Sequence, residues 1–207
     1  MLIIGAGGFA KEVLSCLSEK ERKPVCFYDD VHDDRLTLFS QFNVLKSEAE
    51  AKHYFETTET HFIVGIGGSQ LRQELFHKFK TLGGQVATVV SPAAHLGGFE
   101  VELGAGTIIL AGVNISNSVQ IGQGSMIYYN SNITHDCKIG RYVEVSPGVQ
   151  ILGRVIVGDG VQVGAGAIIL PDINIGAGAI IGAGAVVTKD VSSGETVVGI
   201  PAKPLRK

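Results

Sequence analysis

One histidine followed directly by an acid stands inside a run of small and aliphatic residues, where the segment 130–140 reads NSNITHDCKIG. An imidazole can take a proton from an attacking amine or hydroxyl at neutral pH. His135 and Asp136 are therefore candidates for acid–base chemistry. The alternative is that His135 is an ordinary solvated side chain, and its place in the fold must decide between the two.

Two glycine turns are a second candidate for chemistry, because each follows an apolar run and precedes a helical pattern. The first reads GAGGFA (5–10) and the second GIGG (65–68). The first turn, with an acid about 20 residues later, fits a nucleotide fingerprint in which backbone N–H groups hold phosphate and the acid holds a ribose. It could equally be a tight turn that packs helix on strand. The candidate ligand-binding residues are Gly7, Gly8, Phe9, Asp29, Asp30 and Gly67.

Composition and charge exclude several classes of partner. The 207 residues carry a net charge of −3 and no cluster of Lys or Arg, which argues against nucleic acid as the main partner. Three cysteines without metal-ligand spacing indicate free thiols in a reducing compartment, so we expect a cytoplasmic protein. No leader and no apolar run of about 18 residues is found, and we expect no membrane insertion.

The first half of the chain alternates strand and helix patterns and predicts a small α/β domain over 1–92, with a Rossmann-like parallel sheet. About 90 residues are too few for a complete NAD site, and a nucleotide-sugar fits the space better. Strands are predicted at 2–5, 24–30, 42–45, 61–67 and 85–90, and helices at 11–19, 47–55 and 69–82.

The second half, 93–207, is a repeat of six residues. Stepping by six from Leu103 to Val187 gives fifteen positions, all Leu, Ile or Val, while Gly is frequent at the second and fourth positions of the hexads. This period predicts a parallel β-helix in which three hexads form one coil, and glycine suits corners that need positive φ. The period does not fix the hand of the coil.

The register gives His135 a defined place. It lies two residues after the inward Ile133, so it should point outward near a corner, whereas Cys137 should point inward. One coil of 18 residues further on is Gly153, whose backbone should stack beside the histidine without a side chain. An N–H there could stabilise an oxyanion.

The repeat resembles the hexapeptide-repeat acyltransferases, whose β-helix is left-handed and usually forms a homotrimer. The whole chain resembles one subfamily: bacterial sialic acid O-acetyltransferases and the related N-acetyltransferases of UDP- or GDP-linked 4-amino-sugars. The motifs that carry this resemblance are GAGGFA, the DD pair, GIGG, the HD dipeptide and the tail GIPAK.

The resemblance implies an acetyl-CoA-dependent transferase that acts on a nucleotide-sugar, needs no metal, and serves surface glycan or glycoconjugate synthesis. His135 would be the general base, Asp136 would raise its basicity, and the Gly153 amide would receive the oxyanion. Active sites would lie between subunits, with Pro171 and Lys189 along a lane for the pantetheine arm. Further acetyl-CoA contacts would come from Glu144, Gly153, Ala165 and Ala183.

Some residues depart from the family pattern. Tyr128 stands where an Asn is frequent, Glu144 and Phe9 where a His is frequent, and Gly68 where an Asn is frequent. The first two concern acetyl-CoA and acceptor positioning, and the last two concern nucleotide or sugar preference. Phe9 could stack on a ring or pack under the sheet.

Other functions stay open at this point. O-acetylation of sialic acid and a non-catalytic nucleotide-sugar-binding scaffold are the main alternatives, and a nicotinamide-dependent oxidoreductase is a weaker one. A metal-dependent β-helix hydratase would need three histidines on adjoining faces, and only His135 lies within the hexads. In the first half of the chain, the histidines have no partner at ligand spacing and are expected on the surface or in the core; they are His32, His53, His61 and His77. His95 precedes the hexads and is expected at the entrance to the coils.

Overall fold

Two structural units follow one another along the chain, Met1–Val89 and Val90–Lys207. The computed structural model describes residues 1–18, 22, 24–32 and 36–205. The boundary falls within a short strand, Val89–Val90, slightly before the boundary at residue 92 that the sequence predicts.

The first unit is a six-stranded sheet with three helices. Its central strand β1 pairs in parallel with β2 and β5, and the strand order is β3-β4-β2-β1-β5-β6. The elements are β1 Leu2–Ile4, α1 Gly8–Cys16, β2 Cys26–Tyr28, β3 Thr37–Leu38, β4 Phe42–Leu45, α2 Glu48–Thr57, β5 His61–Val64, α3 Ser69–Thr81 and β6 Gln85–Val86.

The structure corrects the predicted elements of this unit in three places. Helix α1 begins at Gly8 rather than at residue 11, because Gly7 is already its N-cap; its predicted end at residue 19 lies outside the described residues. Strand β3, which pairs antiparallel with β4, has only two residues, too few to show a period. The predicted strand 85–90 is two strands, β6 in this sheet and β7 Val89–Val90 in the next unit.

The second unit is a three-sided stack of two-residue strands. Within residues 102–187 the described pairings between successive coils are parallel and join residues 18 apart, for example Asn114 with Asn132 and Asn132 with Gln150. The pairings at the two ends of the stack join residues 19 and 16 apart. This confirms the coil length predicted from the hexads. A short antiparallel pair, β24 Thr196–Val198 with β25 Lys203–Pro204, ends it.

Its three sheets are named here first, second and third. The first sheet holds β7, β10 Ile108–Ile109, β13 Met126–Ile127, β16 Glu144–Val145, β19 Gln162–Val163, β22 Ile180–Ile181, β24 and β25. The second holds β8 His95–Leu96, β11 Asn114–Ile115, β14 Asn132–Ile133, β17 Gln150–Ile151, β20 Ile168–Ile169 and β23 Val186–Val187. The third holds β9 Glu102–Leu103, β12 Gln120–Ile121, β15 Lys138–Ile139, β18 Ile156–Val157 and β21 Asn174–Ile175.

The corners of the coils use glycine for two different reasons. Fourth positions of the hexads, from 106 to 184, have left-handed φ, and several carry residues other than glycine, among them Asp136 (φ 61°) and Arg154 (φ 63°). Second-position glycines do not have positive φ: a Cβ on Gly140 would stand 2.7 Å from the backbone nitrogen of Asp159 in the next coil. The expectation that positive φ explains both sets is therefore wrong for the second position, where close stacking requires glycine.

Inward side chains at the first and fifth positions form one continuous apolar core through this unit. Cys137 is among them and is fully buried, as the register predicts. None of the described helices in the chain is both long and apolar enough to cross a bilayer.

Candidate active site

His135 and Asp136 lie at the corner between the second and third sheets, directly after β14. Each side chain is 53% exposed, and His135 Nδ1 lies 2.7 Å from an Asp136 carboxylate oxygen. Because an ionised carboxylate only accepts hydrogen bonds, this contact places the proton of a neutral imidazole on Nδ1. The lone pair of Nε2 is then available to accept a proton.

The left-handed conformation of Asp136 makes this contact possible. The chain reverses at this fourth position, with φ 61°, and the carboxylate folds back onto the preceding side chain. An aspartate tolerates such a conformation better than most residues. The sequence thus provides an imidazole and its partner from adjacent positions of one tight corner.

Gly153 lies directly beside the imidazole, one coil further on. A Cβ on Gly153 would stand 2.6 Å from His135 Cε1 and 2.7 Å from Nε2. The stacking is fixed by two backbone hydrogen bonds, from Arg154 N–H to His135 O and from Asp172 N–H to Gly153 O, both 3.0 Å. Among the described residues the Gly153 N–H has no acceptor. The corner therefore combines a proton acceptor with a free backbone donor.

Further residues of the same corner follow the register. Pro171 and Lys189 stand one and two coils beyond Gly153, and both are exposed. The Cys137 thiol faces the core and donates to Leu152 O at 3.1 Å. Burial raises the pKa of this thiol, which keeps it protonated and argues against a nucleophilic role.

The other residues predicted to contact acetyl-CoA lie elsewhere on the prism. Glu144 belongs to β16 in the first sheet, and Ala165 and Ala183 stack at the corner between the first and second sheets. This corner is a different edge of the triangular coil from the one that carries His135. One chain therefore does not bring the two predicted groups together.

The first unit contains a cavity of about 290 Å³ between its two glycine turns and the segment after β2. Five of the predicted substrate-binding residues line it: Gly7, Gly8, Phe9, Asp29 and Gly67. Asp30 does not line it; its carboxylate accepts the Tyr28 hydroxyl at 2.9 Å and lies 3.9 Å from Lys78 Nζ.

The glycines of the first turn differ in the space around their Cα atoms. Gly5 has φ 101°, and a Cβ there would stand 2.6 Å from the Ile66 side chain, so this position packs the two turns together. Gly7 and Gly8 would place a Cβ in open space. Because α1 starts at Gly8, the positive end of its helix dipole borders the cavity. Such an end binds anions, including phosphate.

His32 lines the same cavity and was not predicted as a site residue. Its Nδ1 lies 2.9 Å from an Asp29 carboxylate oxygen, and the N–H groups of Val31 and His32 donate to the other oxygen at 3.1 and 3.2 Å. Lys46 Nζ donates hydrogen bonds to the backbone carbonyl groups of Asp29 and His32. The signal available in the sequence was an acid at a strand end with a histidine three residues later.

The Asp29 carboxyl is ionised because of these contacts. Burial, with only 7% of the residue exposed, would raise its pKa, but the hydrogen bonds from Val31 and His32 outweigh this and leave the pKa below its ordinary value. The carboxylate thus bonds to residues of its own turn and holds the His32 ring at the cavity wall. Among the described residues, no cluster of three or more His, Cys, Asp or Glu could hold a metal ion.

Two protein-family models match the chain. Residues 1–79 match the PglD N-terminal domain, and residues 118–153 and 154–189 match the bacterial transferase hexapeptide (six repeats). With the three parallel sheets and the 18-residue register, this confirms the predicted left-handed parallel β-helix and the Rossmann-like first unit. No curated protein matches.

Solved structures match over nearly the whole chain. PerB from Caulobacter crescentus, in complex with CoA and GDP-perosamine, is 30% identical with a TM-score of 0.90, covering 99% of this chain and 96% of that one. WeeI from Acinetobacter baumannii AYE is 32% identical with a TM-score of 0.84, covering 99% and 98%. The acetyltransferase domain of PglB from Neisseria gonorrhoeae FA1090, in complex with acetyl coenzyme A, is 25% identical with a TM-score of 0.89, covering 99% and 98%.

The Caulobacter protein is described as a GDP-perosamine N-acetyl transferase in a second structure. There, one histidine is replaced by alanine, and CoA and GDP-perosamine are bound; it is 29% identical with a TM-score of 0.77, covering 100% of this chain and 96% of that one. The similarity of fold and sequence therefore spans both units.

Proposed function

The chain belongs to the family of hexapeptide-repeat sugar N-acetyltransferases with a PglD N-terminal domain, and we propose that it acetylates the amino group of a UDP- or GDP-linked 4-amino-sugar with acetyl-CoA. The observation that carries this proposal is the His135–Asp136 pair beside the bare Cα of Gly153. It provides a base and an open approach for a thioester at one corner.

His135 is the general base. Its Nδ1–H donates to Asp136, so Nε2, which lies beside Gly153, keeps its lone pair and takes a proton from the sugar amine as the nitrogen attacks the thioester carbonyl. The C–N bond forms, the C–S bond breaks, and the imidazolium returns the proton to the leaving sulfur of CoA. Asp136 stabilises the charge that the imidazole carries between these two transfers.

The Gly153 N–H stabilises the negative charge that develops on the carbonyl oxygen. It has no acceptor among the described residues, and the missing side chain leaves room for the acetyl group beside the imidazole. A single such donor contributes about 10²–10³ in rate in enzymes where it has been removed. Pro171 and Lys189 continue the same edge and border the pantetheine arm.

The cavity of the first unit is the nucleotide site. Backbone N–H groups at the start of α1 suit the diphosphate, and Gly7 and Gly8 leave space for its oxygens. Phe9 and His32 lie on the cavity wall, where each can contact the base or the ribose. Asp29 acts through His32 because its own oxygens are already occupied.

A homotrimer completes the acetyl-CoA site. Ala165 and Ala183 lie on a different edge from His135, and Glu144 lies in the first sheet, so a second copy of the chain is needed to bring the two groups together. Closed cyclic symmetry then produces three equal sites between subunits. Because acetyl-CoA and nucleotide-sugars are made in the cytoplasm, we assign the enzyme to that compartment, in synthesis of a bacterial surface glycan or glycoconjugate.

The direct test is turnover of acetyl-CoA with a panel of UDP- and GDP-4-amino-sugars, measured as the release of free CoA thiol. We expect turnover with at least one acceptor, and a loss of about 10²–10⁴-fold in kcat in His135→Ala. The matched control is His53→Ala, an exposed histidine on α2, which should keep full activity.

Two results would contradict the proposal. One is no turnover across the whole panel, and the other is full turnover by His135→Ala. The chemical nature of the product is a further check, because an amide survives mild base. An ester product, lost in mild base, would indicate O-acetylation instead.

A further inference from the structure

Three charged residues form a column on the corner that carries His135. Asp136, Arg154 and Asp172 occupy the fourth position of hexads that are one coil apart. Taking the direction of increasing residue number as up, the backbone N–H groups of Arg154 and Asp172 each donate to a carbonyl of the coil below. Arg154 donates to His135 O and Asp172 to Gly153 O, both at 3.0 Å. Coils of a β-helix are about 4.8 Å apart, so Arg154 has a carboxylate within reach above it and another below.

Arg154 bonds to the upper carboxylate only. Its Nε and Nη2 donate to the two oxygens of Asp172 at 2.6 and 2.8 Å. No hydrogen bond or ion pair joins Arg154 to Asp136 within the described part of the chain, and Asp136 bonds to His135 instead. The two guanidinium hydrogen bonds lower the pKa of the Asp172 carboxyl and keep it ionised.

The alternative pairing would remove the partner of the imidazole. A guanidinium binds a carboxylate with two parallel charge-assisted hydrogen bonds, which is stronger than the single bond from an imidazole. If Arg154 turned to the coil below, it would compete with His135 for Asp136. The arrangement seen here avoids that competition because Arg154 already has a bidentate partner.

We propose that Asp172 is a positioning residue for the acetyl transfer: it holds Arg154 away from Asp136 and thereby keeps Asp136 bonded to His135. This inference rests on the proposed role of His135 as the base. Asp172 acts through Arg154, and neither side chain needs to contact the substrate.

The remaining charged groups near the corner have other positions or partners. Below the column, the Ser118 hydroxyl donates to the Glu100 carboxylate at 2.7 Å. Above it, Asp190 accepts a backbone N–H from β21 at 2.8 Å. Lys138 and Lys189 are exposed, and in the described chain neither forms an ion pair with an aspartate of the column. Arg154 is therefore the cation that can replace the imidazole.

The first variant to measure is Asp172→Asn. Released from its bidentate partner, Arg154 pairs with Asp136, and the imidazole loses the carboxylate that stabilises its protonated form. We expect kcat to fall roughly two- to threefold with little change in KM, since a less basic imidazole is a weaker general base. The acid limb of the kcat profile should move to lower pH by about half a unit, because the imidazole then loses its proton more easily.

A second substitution separates this role from a structural one. In the double variant Arg154→Gln with Asp172→Asn the competing cation is gone, and we expect kcat and the acid limb to return close to those of the wild type. Asp172→Glu keeps a carboxylate for Arg154 and should change both quantities little.

The chain offers a matched control on a different corner. Arg141 and Asp159 are also 18 residues apart and form an ion pair, in which Arg141 Nε and Nη2 donate to one carboxylate oxygen at 2.9 and 2.6 Å. Asp159→Asn removes an ion pair between successive coils at the corner between the third and first sheets, which does not carry His135. It should leave kcat and its pH profile unchanged.

Three outcomes would overturn the inference: an Asp172→Asn profile like that of Asp159→Asn, a double variant as slow as the single one, or an Asp172→Glu variant as slow as Asp172→Asn. Failure of the proposed function is distinguishable, because it would appear as a wild type without turnover. In that case the pH titration of the His135 ring by NMR decides the matter. A midpoint at lower pH in Asp172→Asn supports the inference, and an unchanged midpoint overturns it.

Discussion

At the scale of single residues, the site requires glycine at position 153 as well as the imidazole at position 135. The hexad register alone places these two residues on one edge, one coil apart. The structure adds that the imidazole edge with Nε2 lies against the Cα of Gly153, within 2.7 Å of a hypothetical Cβ. A methyl group at 153 would therefore occupy the space of the reacting atoms.

We predict that Gly153→Ala keeps the fold and loses most of the activity. The φ of Gly153 lies outside the left-handed region, so alanine is compatible with the backbone, but its Cβ displaces the imidazole. A displacement of about 1 Å at a reacting group costs on the order of 10²-fold in rate. Steady-state kinetics with a thermal melt would measure both effects.

Gly98→Ala is the control for this substitution, since a Cβ there meets nothing within 4 Å and the φ is also not positive. It should be neutral in rate. Equal activity of Gly153→Ala and the wild type would contradict the idea that the acetyl group passes beside the imidazole.

At the scale of elements, the turn after β2 is an ion-stabilised structure. The Asp29 carboxylate accepts two backbone N–H groups and the His32 ring, and Lys46 closes the turn from the other side. This makes the wall of the cavity a preformed surface, so a ligand does not have to order it.

The pH dependence of stability follows from the lowered pKa of Asp29. Its ionised form is favoured by folding, so the contribution is complete above the ordinary value of 3.8 and is lost as pH falls through the lower value of the folded state. We predict that Asp29→Asn lowers the free energy of unfolding by about 1–3 kcal/mol at pH 7, as expected for hydrogen bonds to a charged group.

Urea denaturation of the wild type and of Asp29→Asn at several pH values checks this prediction. The difference between the two proteins should shrink below about pH 4 and vanish once the wild-type carboxyl is protonated. Asp30→Asn is the matched control, because that carboxylate lies outside the cavity wall and is exposed. A constant difference between pH 7 and pH 3 would show that the loss is steric and not ionic.

At the scale of the whole molecule, the sequence predicted what is periodic and missed what depends on non-local contacts. Fifteen regular hexads determine the coil length and the side on which His135 and Cys137 lie, because the geometry repeats. The break between β6 and β7 was missed because Val89 and Val90 continue the same β-branched pattern. The partnership of His32 with Asp29 was missed because it depends on how one turn closes, which no period records.

The same periodicity explains why one chain is not enough. In a triangular coil, residues that differ by a whole number of coils share an edge, as His135 and Gly153 do, whereas His135 and Ala165 do not. No rearrangement within the prism brings two of its edges together. A site that needs both edges has to be formed by two copies.

Mixing of inactive subunits tests this assembly. His135→Ala loses the base but keeps the edge of Ala165, and Ala165→Trp blocks that edge but keeps the base. In a trimer assembled at random from equal amounts of both, one site in four combines an intact His135 edge with an intact Ala165 edge from the next subunit. Co-expression should therefore restore roughly a quarter of the wild-type activity, although each variant alone is nearly inactive.

The mixing experiment distinguishes a site between two subunits from a site within one chain. If each site were formed within one chain, every site in the mixture would carry one of the two defects, and no activity would return. The mass of the purified mixed complex, measured by light scattering, shows whether trimers have formed. Trimers of the expected mass without recovered activity would place both functions on a single chain and would contradict the intersubunit site.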